Sequence, residues 1–140
     1  MIEVLIDARN FGKYGSGFAV ALIFQRHIWR RSFNCGKITG NQAELKAVEF
    51  SLKSIKPEFR TEPVIICSTG RYAQLVLEHT DGIWKRDIKA NTDFVVEVRK
   101  IFLEFSDVKI ETKDPAFRLN NIKILCEDAV RKEKLVNERI

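Results

Sequence analysis

The segment Ile2-Glu3-Val4-Leu5-Ile6-Asp7 constrains this chain more than any other part of it. After Glu3 it offers apolar side chains to both faces, the pattern of a central strand covered on each side. Asp7 closes the apolar run, so a carboxylate is placed beside the core, where it needs a partner or a metal. Further on, Thr39-Gly40-Asn41-Gln42-Ala43-Glu44 opens a helix that carries a second acid.

The remaining periodicities predict the order of elements. Residues 2–9 read as a strand, 11–17 as a turn punctuated by Gly12, Gly15 and Gly17, and 18–24 and 27–34 as two further strands. Their short connections imply an antiparallel meander. A helix is expected over 41–55, where Ala47, Val48, Leu52 and Ile55 recur at helical spacing before Pro57 stops the run. Residues 64–67 form a short, fully apolar strand, and 70–79 a helix ended by Asp81-Gly82. Asn91 or Thr92 is expected to cap a third helix carrying Phe94, Val95, Val98, Ile101, Phe102 and Phe105. A fifth strand at 108–111 and a last helix from about 121 complete the chain. The fourth and fifth strands need crossovers and should pair in parallel, giving an α/β domain with a five-stranded mixed sheet flanked by helices.

Composition sets wider bounds. The 140 residues fit one domain, taken as 1–140, and 45% hydrophobic with 31% charged residues is the balance of a soluble globule. No apolar run approaches the roughly 20 residues of a membrane helix. The apolar start carries Glu3 and Asp7 and lacks a basic leader, which argues against a signal peptide. Cys35, Cys67 and Cys126 are odd in number and widely spaced, as expected of reduced thiols in a cytoplasmic protein, and no Cys/His metal box exists. A formal charge of +5 is compatible with a polyanionic partner. The basic residues cluster at Arg26, His27, Arg30 and Arg31, around Trp84 with Lys85, Arg86 and Lys89, and in the tail; solvated faces explain most of these, and the Trp84 cluster reads equally as a solvated loop.

Element order and motifs together resemble the ribonuclease H family, type 1. In that family the first strand ends in Asp, a Gly-rich hairpin follows, and a Thr-x-Asn-x-x-Glu segment opens the first helix. This chain has Asp7, then Gly12, Gly15 and Gly17, then Thr39, Asn41 and Glu44. Lys89-Ala90-Asn91-Thr92-Asp93-Phe94 also resembles the family's Lys-x-Asn-x-Asp-Leu run, so the resemblance spans nearly the whole chain. It implies binding of an RNA–DNA hybrid and hydrolysis of its RNA strand. Phosphodiester hydrolysis of this kind suits two divalent cations held by carboxylates, Mg²⁺ or Mn²⁺. By that resemblance Asp7 would bridge both ions and Glu44 would hold one. Read without it, Glu44 could complete a capping box with Asn41, and Asp7 could initiate a turn.

Two departures stand out. Where the family shows Thr-Asp-Ser-x-Tyr after the fourth strand, this chain has Ser68-Thr69-Gly70-Arg71-Tyr72. Thr69 thus takes the place of the third acid, and the cation cage loses a full negative charge. The fourth acid belongs at the start of the last helix, where either Glu127 or Asp128 fits; both also read as a solvated pair near a helix N-terminus. The histidine loop that precedes this helix in the family has no counterpart in Asp114-Pro115-Ala116-Phe117-Arg118.

For substrate, Thr39 could donate to a DNA phosphate and Asn41 and Gln42 could reach the minor groove, where RNA displays its 2′-hydroxyls. Trp84 amid Lys85, Arg86 and Lys89 resembles a shortened basic protrusion of the kind that clamps a hybrid. The expectation is a hybrid endoribonuclease with weakened metal binding. A degenerate domain that binds nucleic acid or a protein without catalysis, or a nuclease acting on DNA, remain its rivals.

Overall fold

The computed structural model describes residues 1–78, 91–112, 124, 126 and 127. Five strands form one sheet in the order β3-β2-β1-β4-β5, with β1 at Ile2–Asn10, β2 at Ser16–Phe24, β3 at His27–Gly36, β4 at Val64–Ser68 and β5 at Val108–Glu111. β1, β2 and β3 are an antiparallel meander, while β4 pairs in parallel with β1 and β5 in parallel with β4. The five-stranded mixed sheet is the one the element order predicts.

Each strand sends alternate side chains to opposite faces. Ile2, Val4 and Ile6 of β1, Phe18 and Val20 of β2, Val64 and Ile66 of β4 and Ile110 of β5 face one way. There they meet Leu45, Val48 and Leu52 of α1 (Gly40–Lys53) and Val95, Val98 and Ile101 of α3 (Thr92–Phe102). Tyr72, Ala73 and Val76 of the short α2 (Tyr72–Glu78) join the same core. The opposite face buries Leu5, Ala19, Ala21 and Cys67 against Cys126, in the helical turn that includes Ile124, Cys126 and Glu127.

Several boundaries differ from those expected, each for a local reason. β1 runs on to Asn10, because its pairing with β2 continues to Asn10↔Ser16; Asp7 therefore lies inside the strand. Its pairing with β4 stops earlier, at Ile6↔Ser68, so Asp7 stands one residue beyond the last parallel pair. α1 starts at Gly40 rather than Asn41. Thr39 is its N-cap, its side chain accepting from Gln42 N at 3.1 Å while Gln42 Oε1 accepts from Thr39 N at 3.0 Å, a complete capping box. Glu44 is thereby released from that duty. α1 ends at Lys53, with Ile55 buried just beyond it. α2 begins at Tyr72, and the residues expected to end it, His79 and Asp81-Gly82, lie outside the described residues. Asn91 sits at the N-cap of α3 without capping it: its Oδ1 accepts from Gln42 Nε2 at 2.9 Å and its Nδ2 donates to Tyr72 Oη at 2.8 Å.

Candidate active site

Where β1 and β4 part, side chains from both sheet faces converge. Along β4, Ser68 has the parity of Ile66 and points toward α1, while Thr69 has the parity of Cys67 and points toward Cys126. Asp7 likewise shares the parity of Leu5 and lies on the Cys126 face, and Glu44 comes from α1 on the other. The consecutive hydroxyls of Ser68 and Thr69 consequently serve one acid each. Thr69 Oγ1 donates to Asp7 Oδ1 at 2.6 Å, and the Ser68 hydroxyl hydrogen-bonds the Glu44 carboxylate. Thr69 N, bonded to Ile6 O at 3.2 Å, holds this short segment in line with β1.

Asp7 is wholly buried. Arg9, two residues along the same strand face, places Nε 3.0 Å from Oδ2 and donates to Oδ1 at 3.3 Å. Oδ2 accepts no hydrogen bond from the described residues. The neighbouring Cys126 thiol donates to Gly17 O at 3.3 Å and also lies close enough to Asp7 to interact with its carboxylate. Burial first, and the negative charge of Asp7 next, push that thiol well above its ordinary range. A carboxylate oxygen sealed from water without a hydrogen bond is costly unless something else meets it.

Glu44 is 4% exposed. Its Oε2 accepts from Ala73 N, in the first turn of α2, and Tyr72 N contributes a further bond. Burial still raises the carboxyl above its ordinary value; the amide and Ser68 bonds oppose that rise, and Asp7 adds to it. The influence of Asp7 on Glu44 shows that the two charges feel one another. Gly70 makes the arrangement possible, since a Cβ at that position would lie 1.8 Å from Glu44 Oε1.

The other expected site residues are distributed unevenly. Thr39 and Asn41 are exposed at the start of α1, and Gln42 is half-buried with both ends of its amide engaged in the capping box and with Asn91. Glu127 is exposed and adjoins Cys126, which places its backbone on the Asp7 side of the sheet. Asp128, Trp84, Lys85, Arg86 and Lys89 lie outside the described residues. Arg9, Ser68 and Gly70 were not anticipated. For Arg9 the signal was available, because two-residue spacing on a strand puts it on the face of Asp7.

A divalent cation fits part of this arrangement. Asp7 Oδ2 is a buried anionic atom lacking a hydrogen bond, and Glu44 brings a second hard oxygen donor. Asp7 Oδ1 is instead occupied by Thr69 and Arg9. Among the described residues no three His, Cys, Asp or Glu side chains form a metal-binding group. The carboxylates of Asp7 and Glu44 are the donors among the described residues that could take part in holding an ion.

No sequence-family model matches this chain, and no curated protein matches it either. Solved structures do. Ribonuclease H1 from the halophilic archaeon Halobacterium salinarum is similar with a TM-score of 0.72 at 19% identity, over 94% of this chain and 98% of that one. The N-terminal ribonuclease H domain of a Mycobacterium tuberculosis protein gives 0.72 at 17%, over 92% and 98%. A ribonuclease H1 designated LC11, solved in complex with an RNA/DNA hybrid, gives 0.65 at 17%, over 96% and 99%. With its strand order, its crossovers and these likenesses in agreement, the chain has the ribonuclease H fold over nearly its whole length.

Proposed function

We propose that this chain binds an RNA–DNA hybrid and hydrolyses its RNA strand with a divalent cation, Mg²⁺ or Mn²⁺, held by Asp7 and Glu44. The observation that carries the reading is Asp7 Oδ2: fully buried, anionic and without a hydrogen bond, beside a second buried carboxylate. When bound, such a cation supplies Lewis-acid stabilisation of the charge that develops on the phosphodiester. The residues around it do the rest. Thr69 fixes Asp7 through Oδ1 and leaves Oδ2 to the ion, while Ser68 and the α2 amides hold the Glu44 carboxylate in place.

The further acid in this reading is Glu127, on the helical turn that Cys126 anchors against the sheet, or Asp128, which lies outside the described residues. Thr39 and Asn41, exposed at the start of α1, are the contacts to the hybrid, and Gln42 acts through the cap that shapes them. Trp84, Lys85 and Lys89 are proposed to grip the backbone. The hybrid is favoured as substrate because LC11 and a foamy viral protease-reverse transcriptase of similar fold, TM-score 0.73 at 16% identity, were solved with one. Cys35, Cys67 and Cys126 form no disulfide, in keeping with the cytoplasmic setting proposed here. No helix among the described residues is long and apolar enough to cross a membrane.

A second reading, hybrid binding without cleavage, is favoured by Thr69 in an acid's place and by Arg9 against Asp7. Incubating hybrid labelled on either strand with Mg²⁺, Mn²⁺ or EDTA separates the two. Short RNA products with metal, none with EDTA and none from Asp7→Asn are expected. Retention of intact hybrid at every metal concentration would replace the nuclease with the binding module, and equal cutting of duplex DNA would replace the substrate.

A further inference from the structure

We propose that Arg9 takes the place of a second divalent cation, so that this site is built for one ion and a guanidinium. The proposal rests on the metal-dependent reading of Asp7 and Glu44 and concerns what surrounds the ion they would hold.

Arg9 follows Asp7 by two residues on β1, so both side chains leave the same face. Its cross-strand partner on β2 is Gly17, which has no side chain to obstruct it. The guanidinium lies back along the strand onto Asp7, with Nε 3.0 Å from Oδ2 and a hydrogen bond of 3.3 Å to Oδ1. The 3.0 Å approach falls outside hydrogen-bond geometry, so Oδ2 feels the positive charge while its lone pairs stay available. An exposed ion pair would carry little meaning. Here the carboxylate is wholly buried and the arginine side chain is 42% exposed, so a fixed cation covers an acid that has no access to water.

Charge decides how many ions such a site accepts. Asp7, Glu44 and the further acid at Glu127 or Asp128, set against Arg9, leave two net negative charges, which one divalent ion cancels; a second would gain no net attraction and would meet the first ion and Arg9 at short range. The position that would supply the missing carboxylate holds Thr69, a neutral hydroxyl already donating to Asp7 at 2.6 Å. Arginine keeps its charge at any working pH, and its fork matches phosphate oxygens. Asp7 engages the Nε side of that fork. A neutral donor at position 69 and a cation at position 9 thus both act on Asp7, and both lower the negative charge the site offers.

Mn²⁺ binding to the full chain, measured by titration calorimetry and by the loss of free-ion electron paramagnetic resonance signal, tests this without reference to activity. Wild type should bind one ion, and Asp7→Asn none. Arg9→Ser should bind its ion about tenfold more tightly, because a repelling charge has gone. Arg9→Ser combined with Thr69→Asp should bind two. Two ions on wild type, none on wild type, or an unchanged affinity in Arg9→Ser would each overturn the proposal; the single variant carries the test should the double variant fail to fold. One ion per wild-type chain with no cleavage of hybrid would support Arg9 in this role and remove the nuclease reading.

Discussion

Thr69 donates its hydroxyl to Asp7 at 2.6 Å across the point where β1 and β4 separate. The bond joins residues 62 positions apart in sequence and gives a buried carboxylate one of its two donors. Thr69→Val keeps the shape and removes the donor. It should destabilise the metal-free protein by about 1–3 kcal/mol, the usual penalty for a buried acceptor stripped of a partner. Chemical denaturation in EDTA measures it, and a loss below a few tenths would mean that Arg9 alone satisfies Asp7.

Glu44→Gln should act in the opposite direction. Burial disfavours the charged carboxylate more than its hydrogen bonds favour it, as the raised pKa shows. A neutral amide of the same shape can still accept from Ala73 N, so the metal-free variant should be more stable than wild type at neutral pH. Mn²⁺ is expected to raise the melting temperature of wild type and to leave that of this variant unchanged. A variant less stable in EDTA would show that the ionised form is what the fold prefers.

Gly70→Ala probes the space that Glu44 occupies. The added methyl would lie 1.8 Å from Oε1, so the carboxylate must leave the α2 amides. A cost of about 1–3 kcal/mol is expected for the amide bonds lost. Gly40→Ala is the control, because its Cβ would meet Asn10 N at 3.6 Å, an ordinary contact. The amide proton shift of Ala73 should change in the first variant and not in the second.

The thiols give a pH prediction. Burial pushes Cys35 up to about 11, with Lys46 pulling the other way. A thiol raised on folding stabilises the native state below its unfolded value near 9, and that contribution is lost as pH climbs through 9 toward 11. At pH 8 iodoacetamide should leave Cys35 and the buried Cys67 and Cys126 unmodified in the native protein and alkylate all three after unfolding. Rapid native labelling of Cys126 would contradict its placement beside Asp7.

Much of this was legible in the sequence because the signals are local. The apolar run ending at Asp7, the Gly-rich turn and the Pro57 stop are written in neighbouring residues, and the antiparallel meander and the parallel pairing of the last two strands follow from the lengths of connections. What escaped depends on three-dimensional register. The capping box fell to Thr39 and Gln42, although Asn41 and Glu44 have the same spacing, because the cap is chosen by where the chain enters the helix. Thr69 was read as standing in an acid's place and Ser68 only as its neighbour in the motif, and strand parity is what sends one to Asp7 and the other to Glu44. Gln42 was expected at the substrate, but its link to Asn91 joins elements 49 residues apart, beyond the reach of any local pattern.

The most direct test is crystallographic: anomalous scattering from crystals of the full chain soaked in Mn²⁺. The account predicts a single strong peak within about 2.5 Å of Asp7 Oδ2 and shared with Glu44. No peak at that place, or one held by other residues while Asp7 keeps Thr69 and Arg9 as its only partners, would contradict it.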